Sequence, residues 1–399
     1  MRWTDDFVTA GVVWVTTEPP RHAGGGGNQR QANLLRALAE HAPVDLLVLG
    51  PVEDDRVLAS VRRLVVVPPD LPRSVPRPIR RARAAATAWV RHQPLDVAGA
   101  ARARDGLARE LGPLARGAAA VLLHHQVLGP LLDAPRDGPA RRVLSLFHAA
   151  ADRALQEAAV EANPLQRALL RRDGVNARRF EQRFVDQADA LVVITEADAR
   201  RLGRPGTPTH VVPQGVDLDR IATTALPDDP VVLFSGSLDY TPNVDGVTWF
   251  AAEIWPLIRA VVPEARLVVV GRQPTPAVVA LRAQEGIEVH ADVPSMDPWL
   301  AMARVSVAPL RIGTGIRVKA LEALAAGVPV VGTTVGLEGV PVTEAEASVA
   351  DQPADFAAAV VELLRDDTLA RERQAAGRAL AEARFSWKAA GQALADALA

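Results

Sequence analysis

Cysteine is missing from all 399 residues. That excludes disulfides, iron–sulfur clusters, thiolate zinc sites and a cysteine nucleophile together, and it fits a reducing compartment. Lysine is almost missing as well: Lys319 and Lys388 stand against 43 arginines. With such an excess, a single arginine carries little information. Long apolar runs are also lacking. The longest stretch free of Asp, Glu, Lys and Arg is 117–132, 16 residues broken by two His, a Gly and a Pro. A spanning helix needs roughly 18–25 apolar residues, so no transmembrane segment is expected. The opening MRWTDDFVTAGVVWV puts two acids before its apolar run and has no small-residue cleavage site. It is read as no signal peptide, and the expected location is cytoplasmic.

The length instead favours two domains, at about 100–200 residues each, with ample surface to bury without staples. The net charge of −2 argues against a general nucleic-acid binder. Residues 1–215 hold 30 Arg against 23 acids, while 216–399 hold 15 basic residues against 24 acids. The halves are electrically different.

Short runs rich in Val, Leu and Ile alternate with helix-compatible stretches. They lie at 11–16, 44–49, 64–67, 120–123, 143–147, 190–194 and 210–212, then at 231–234, 267–270, 286–289, 305–308 and 329–331. Such near-continuous apolar runs predict buried parallel strands covered by helices on both faces. The expectation is α/β: two Rossmann-like, doubly wound domains, 1–215 and 216–385, facing across a cleft. Two Arg-rich segments, one around Trp89 and one at 164–184, read either as solvated faces or as surfaces resting on an anionic membrane.

Three features could carry chemistry. In GVVWVTTEPPRHAGGGGNQRQANLLRALAEH, a strand meets four glycines and then a helix. Gly25, Gly26, Gly27 and Asn28 would let a backbone approach a phosphate or an acceptor at a helix N-terminus. This is not a dinucleotide fingerprint, because no acid closes the next strand. VVLFSGSLDYTPNVDG gives a strand and a Gly-Ser turn at Ser237. VSVAPLRIGTGIRVKALEALAAGVPVV gives strand, glycine loop, helix and strand. There Gly313 and Gly315 would expose backbone N–H groups, with Arg311 alongside as a fork-shaped anion donor. Lys319 and Glu322, three apart, share a helix face. A cation for phosphate and a carboxylate for vicinal hydroxyls suit a nucleotide sugar; an intrahelical ion pair is the plainer reading.

These runs, with LVVVGRQP, VHADVPSMDPWLAMARVSVAPLR, ADALVVITEADARRL, VVPQGVD and RFSWKAAGQAL, resemble glycosyltransferase family 4, the retaining nucleotide-sugar-dependent enzymes of GT-B fold. The resemblance implies that the first domain takes the acceptor and the second the donor, with a last helix at 386–399 crossing back. It implies that Glu322 holds the donor ribose and that Thr314 stands where the family carries a sugar-binding glutamate. Ser237 and Asn243 stand where an Arg and a Lys often clamp the diphosphate. That task therefore falls to Arg311 and Lys319, with Gly313, Gly315 and Ile316 as backbone donors, Ser237 as a hydrogen-bond partner and Arg317 as a further charge. His148 occupies the place of the family's active-site histidine. His124 and His125 could line the same region, and His22 and His290 carry less.

The implied activity is transfer of a sugar from a UDP, GDP or dTDP sugar to a hydroxyl, with retention, no cofactor beyond that co-substrate and no metal. The acceptor is a glycan, a lipid-linked sugar or a small natural product. No nucleic-acid partner is expected; for the Arg-rich first domain, contact with the inner membrane face is the alternative to a plainly solvated surface. The alternatives are a sugar-nucleotide epimerase of the same fold and a non-catalytic nucleotide-sugar-binding protein.

Overall fold

In the computed structural model the residues described are 9–22, 26–68, 87–88, 93–136, 138–218, 220–221, 223 and 225–399. Contacts divide the chain into two units: Met1–Gly215 with Trp387–Ala399, and Val216–Ser386. The basic segment around Trp89 lies almost wholly outside the described residues.

The first unit holds a seven-stranded parallel sheet: β1 (Val12–Thr16), β2 (Val44–Leu49), β3 (Arg63–Val67), β4 (Ala120–His124), β5 (Arg141–Ser145), β6 (Ala190–Val193) and β7 (Thr209–Val211). Their order is 3-2-1-4-5-6-7. Successive side chains of β1 serve opposite faces. Val12 and Trp14 enter one core and Val13 and Val15 the other. Both faces are covered, so a central strand must be apolar at every position, and that is why these strands read as unbroken runs. The helix Trp387–Leu398 joins the Trp14 core through Ala390 and Leu394. It approaches the helix Gly26–Ala39 at Gly391, where a Cβ would stand 2.4 Å from that of Ala37.

The second unit holds six parallel strands: β8 (Val231–Ser235), β9 (Arg266–Gly271), β10 (Ile287–Ala291), β11 (Val305–Ala308), β12 (Val330–Gly332) and β13 (Ala347–Val349). Their order is 10-9-8-11-12-13. The strand β13 has no counterpart in the sequence reading. It is a three-residue edge strand with one buried, one half-buried and one exposed position, too short for an apolar run.

The other Arg-rich segment forms the helix Pro164–Gln187. Arg178 pairs with Asp152 and Arg183 with Asp133, while Leu165 is 71 % exposed. No described helix is long and apolar enough to cross a membrane.

Candidate functional site

In each sheet the strand order reverses beside its first strand, between β1 and β4 and between β8 and β11. Open α/β sheets bind ligands in the crevice at the carboxyl ends of the strands flanking such a reversal. In the second unit those ends carry most of the residues the sequence singles out.

After β8 the chain turns at Gly236, whose φ is +149°. A Cβ there would lie 2.7 Å from Asn243 Nδ2 and 3.0 Å from Lys319 Nζ. A side chain there would be strained at this φ and would push the Asn243 amide and the Lys319 amine aside. Asn243, near the start of the helix Thr241–Trp249, donates from Nδ2 to the Ser237 carbonyl at 2.8 Å. Its Oδ1 accepts from Lys319 Nζ at 2.7 Å. The amine also lies 4.0 Å from the Phe234 ring centroid. Burial, with Arg317 as a second cause, lowers the Lys319 pKa to about 7. Arg272, at the end of β9, donates to the Ser237 hydroxyl at 3.3 Å. Sequence reasoning passed over Arg272 among so many arginines; the Gly-Arg pair ending an apolar strand was its only signal.

After β11 the loop passes through Gly313 and Gly315, at φ +121° and +83°, into the helix Val318–Ala325. Arg317 differs from the expectation of a ligand-facing charge. It is buried, donating from Nε to the Val335 carbonyl at 2.9 Å and from Nη1 to the Thr314 carbonyl at 3.1 Å. It clamps the loop from within, and Gly313 packs on its guanidinium. Thr314 is likewise buried, and Ile316 half-buried.

Arg311, assigned from the sequence to a diphosphate, is engaged by a carboxylate. Its exposed guanidinium engages Asp245 with both arms, Nε at 3.0 Å from Oδ2, and lies 5.4 Å over the Trp249 ring. A phosphate would have to displace that carboxylate first. Lys319 and Arg272 are thus the cations at the turn after β8, and Arg311 is engaged in a surface pair.

Glu322 stands one turn beyond Lys319. It takes no ion pair with Lys319, whose amine is held by Asn243. Burial raises its pKa; Arg220 works against that shift and Asp297 adds to it. Those two residues pair with each other. No side-chain hydrogen bond to the Glu322 carboxylate occurs among the described residues, so its oxygens can accept from a ligand. His290 stacks on Trp299, with ring centroids 4.3 Å apart, and pairs with Glu288 at 3.1 Å. Among the described residues no three His, Asp or Glu are grouped to hold a metal ion.

In the first unit, Gly26 and Gly27 open the helix Gly26–Ala39 with Asn28 in its first turn; Gly25 lies outside the described residues. His22 is tied to Asp54 by its backbone N–H at 2.8 Å and its Nδ1 at 3.1 Å. His124, at the end of β4, is buried between Trp14 and Phe147. Burial, and then Arg30 and His125, hold its pKa well below the ordinary value. His125 follows at φ +104°, a costly conformation for this residue.

His148 is half-buried beyond β5, two residues before the helix Ala150–Val160. That helix start is capped by Glu181, which accepts from Ala150 N at 2.7 Å and Ala151 N at 3.4 Å. A cavity of about 270 Å³ opens beside it, lined in part by Asp152, Arg178, Glu181 and Arg201. Burial, acting against the two hydrogen bonds, lifts the Glu181 pKa to about 7 from an ordinary 4.5. The folded protein therefore binds this proton more tightly than the unfolded chain. The associated stability is complete below pH 4.5 and is lost as pH rises through 7. Glu181→Gln is expected to stabilise the protein at pH 8 relative to pH 5 by up to about 3 kcal/mol. Thermal melts of both proteins at the two pH values measure this; equal shifts would refute it.

The segment 229–366 matches the family model described as Glycosyl transferases group 1. No curated protein sequence matches the chain. Among solved structures, sucrose-phosphate synthase from Thermosynechococcus elongatus superposes with a TM-score of 0.71 at 17 % identity, covering 98 % of both chains. OtsA, in its apo form, gives 0.67 at 13 % identity over 97 % of this chain and 98 % of its own. HepE from Anabaena, solved with UDP and glucose, gives 0.63 at 10 % identity over 96 % and 98 %. At these identities the likeness speaks to fold: the chain has the two-domain, Rossmann-like GT-B fold, and its second unit carries the matched glycosyl transferase segment.

Proposed function

We propose that the protein is a glycosyltransferase of family 4 type, moving a sugar from a nucleoside-diphosphate sugar to an acceptor hydroxyl with retention of configuration and without a metal. The observation that carries this reading is the set of groups at the β8/β11 reversal: Lys319 held by Asn243 over the glycine turn at Gly236, with the Glu322 carboxylate, which accepts from no described side chain, one helical turn away. The match of 229–366 to group 1 glycosyl transferases supports it, as does the nucleotide-bound HepE of like fold.

Departure of a nucleoside diphosphate leaves negative charge on the leaving oxygen, and donors aimed in advance at that oxygen lower the barrier. Lys319 supplies the charge, and the Gly236 turn gives the phosphates backbone-close access. Glu322 accepts from the ribose hydroxyls. The acceptor is assigned to the first unit, where His148 orients the reacting sugar; the retaining course asks for no strong protein base, because the acceptor enters on the face the diphosphate leaves.

Calorimetry with UDP, GDP and dTDP tests the reading, with binding of at least one expected. Binding of none removes it. Anomeric configuration by NMR and turnover unchanged by EDTA test retention and metal independence. Conversion of a donor sugar with no acceptor present would point to an epimerase instead.

A further inference from the structure

Lys319 is a cation with no acid for a partner: among the described residues its amine meets an amide oxygen, an aromatic face and the backbone turn at Gly236. We propose that a nucleoside diphosphate binding at this turn draws a proton onto the Lys319 amine, and that Asn243 is the positioning residue that keeps the amine aimed at the turn in either charge state. The inference rests on the nucleotide reading above and adds a proton to it.

The Asn243 amide has one usable orientation. Its Nδ2 is committed to the Ser237 carbonyl, so Oδ1 must face the amine. A neutral amine still has N–H groups to donate to that oxygen, and so does the ammonium. The hold survives titration, and the direction of the side chain with it. A carboxylate in place of the amide would fix the charge permanently.

The elements packed around the amine carry other charges. Arg317, at the start of its own helix, is bound to the Thr314 and Val335 carbonyls and stands 3.7 Å from Glu338. Glu322 lies one turn on. Asp245, on the helix that carries Asn243, is engaged by Arg311. Arg272, at the end of β9, reaches Ser237. Burial and Arg317 leave the amine with a pKa of about 7, although the Phe234 face attracts the cation.

The sign follows. Below pH 7 the amine is already charged, and a ligand changes little. Above pH 7 the free site is largely neutral. A bound diphosphate favours the charged form and raises its pKa. Binding must then take up a proton, and affinity falls with rising pH by up to about tenfold per unit until the pKa of the complex is reached.

Whichever of UDP, GDP and dTDP binds the full chain is the probe, because its terminal phosphate, with a second pKa of about 6, is almost fully ionised at pH 8. Calorimetry at pH 8 in phosphate, HEPES and Tris, whose ionisation enthalpies differ, counts the protons. The parent protein is expected to take up roughly 0.5–1 proton per nucleotide and to bind several-fold more weakly at pH 8 than at pH 7. Lys319→Arg, permanently charged, should bind without uptake and with no pH dependence over that range. Asn243→Asp should also abolish uptake, and should bind more weakly at both pH values. Full-affinity binding to the parent with no proton uptake overturns the inference and leaves the nucleotide reading standing. Uptake that persists in Lys319→Arg overturns it too, and no binding to the parent overturns both. The parent measurement needs no variant to fold.

Discussion

A ribonucleoside diphosphate is expected to bind Glu322→Ala roughly 10- to 100-fold more weakly than the parent protein. The Glu322 carboxylate is raised in pKa by burial and accepts no hydrogen bond from a described side chain. The side chain is half-buried, and a ligand with hydroxyl donors would exchange its remaining water contacts for hydrogen bonds. Hydrogen bonds to a charged group contribute about 1.5–3 kcal/mol each, and every 1.4 kcal/mol is about tenfold in affinity. The ribose origin of the effect has its own signature. The parent should favour a ribonucleotide over its 2′,3′-dideoxy counterpart, and Glu322→Ala should bind the two alike. A variant that keeps the discrimination would show that the carboxylate faces something other than ribose. Acidification adds a check of sign. Because the folded pKa lies above the ordinary value, protonation begins at a higher pH than for a free glutamate, and ribose discrimination should fade as pH drops toward it.

The second large effect concerns backbone. Gly271→Ala is expected to destabilise the second unit by roughly 3 kcal/mol or more and to abolish nucleotide binding. A Cβ at this last residue of β9 would stand 1.7 Å from the Gly236 carbonyl oxygen and 2.8 Å from Leu238 Cγ. Neither neighbour can yield cheaply. Gly236 is the turn over which Lys319 and Asn243 meet, and Leu238 is fully buried. Relief requires β9 and the turn to separate, which widens the place where a phosphate would sit. Gly27→Ala is the matched control. That glycine lies in a helix with nothing within 4 Å of its Cβ position, so the melting temperature should hold or rise. A Gly271→Ala protein that melts with the parent and binds nucleotide normally would refute the argument.

Much of the arrangement is legible in the sequence. The central strands announce themselves because a sheet covered on both faces demands an apolar residue at every position, and the partly buried edge strands β3, β7 and β10 still carry short Val-, Leu- or Ile-containing runs. The three-residue edge strand β13 has no counterpart among those runs. Helix spacing likewise places Lys319 and Glu322 on one face, since the 3.6-residue period is a local property of the backbone. Gly313 and Gly315 fall where the chain needs positive φ, which glycine alone adopts freely.

Which groups meet across the crevice was not legible. Lys319 reads as a phosphate ligand or as an ion-pair partner for Glu322, and its amine goes to Asn243, 76 residues away. Arg311 reads as a phosphate ligand, yet Asp245, 66 residues away, takes it. Arg317 reads as a free charge, yet carbonyls of its own loop and of Val335 bury it. The physical reason is common to all three. Residue type and spacing set what a side chain can bond and which way its element presents it. Its partner depends on which strand ends the parallel crossovers bring side by side, and that depends on the order in which whole strands stack in the sheet.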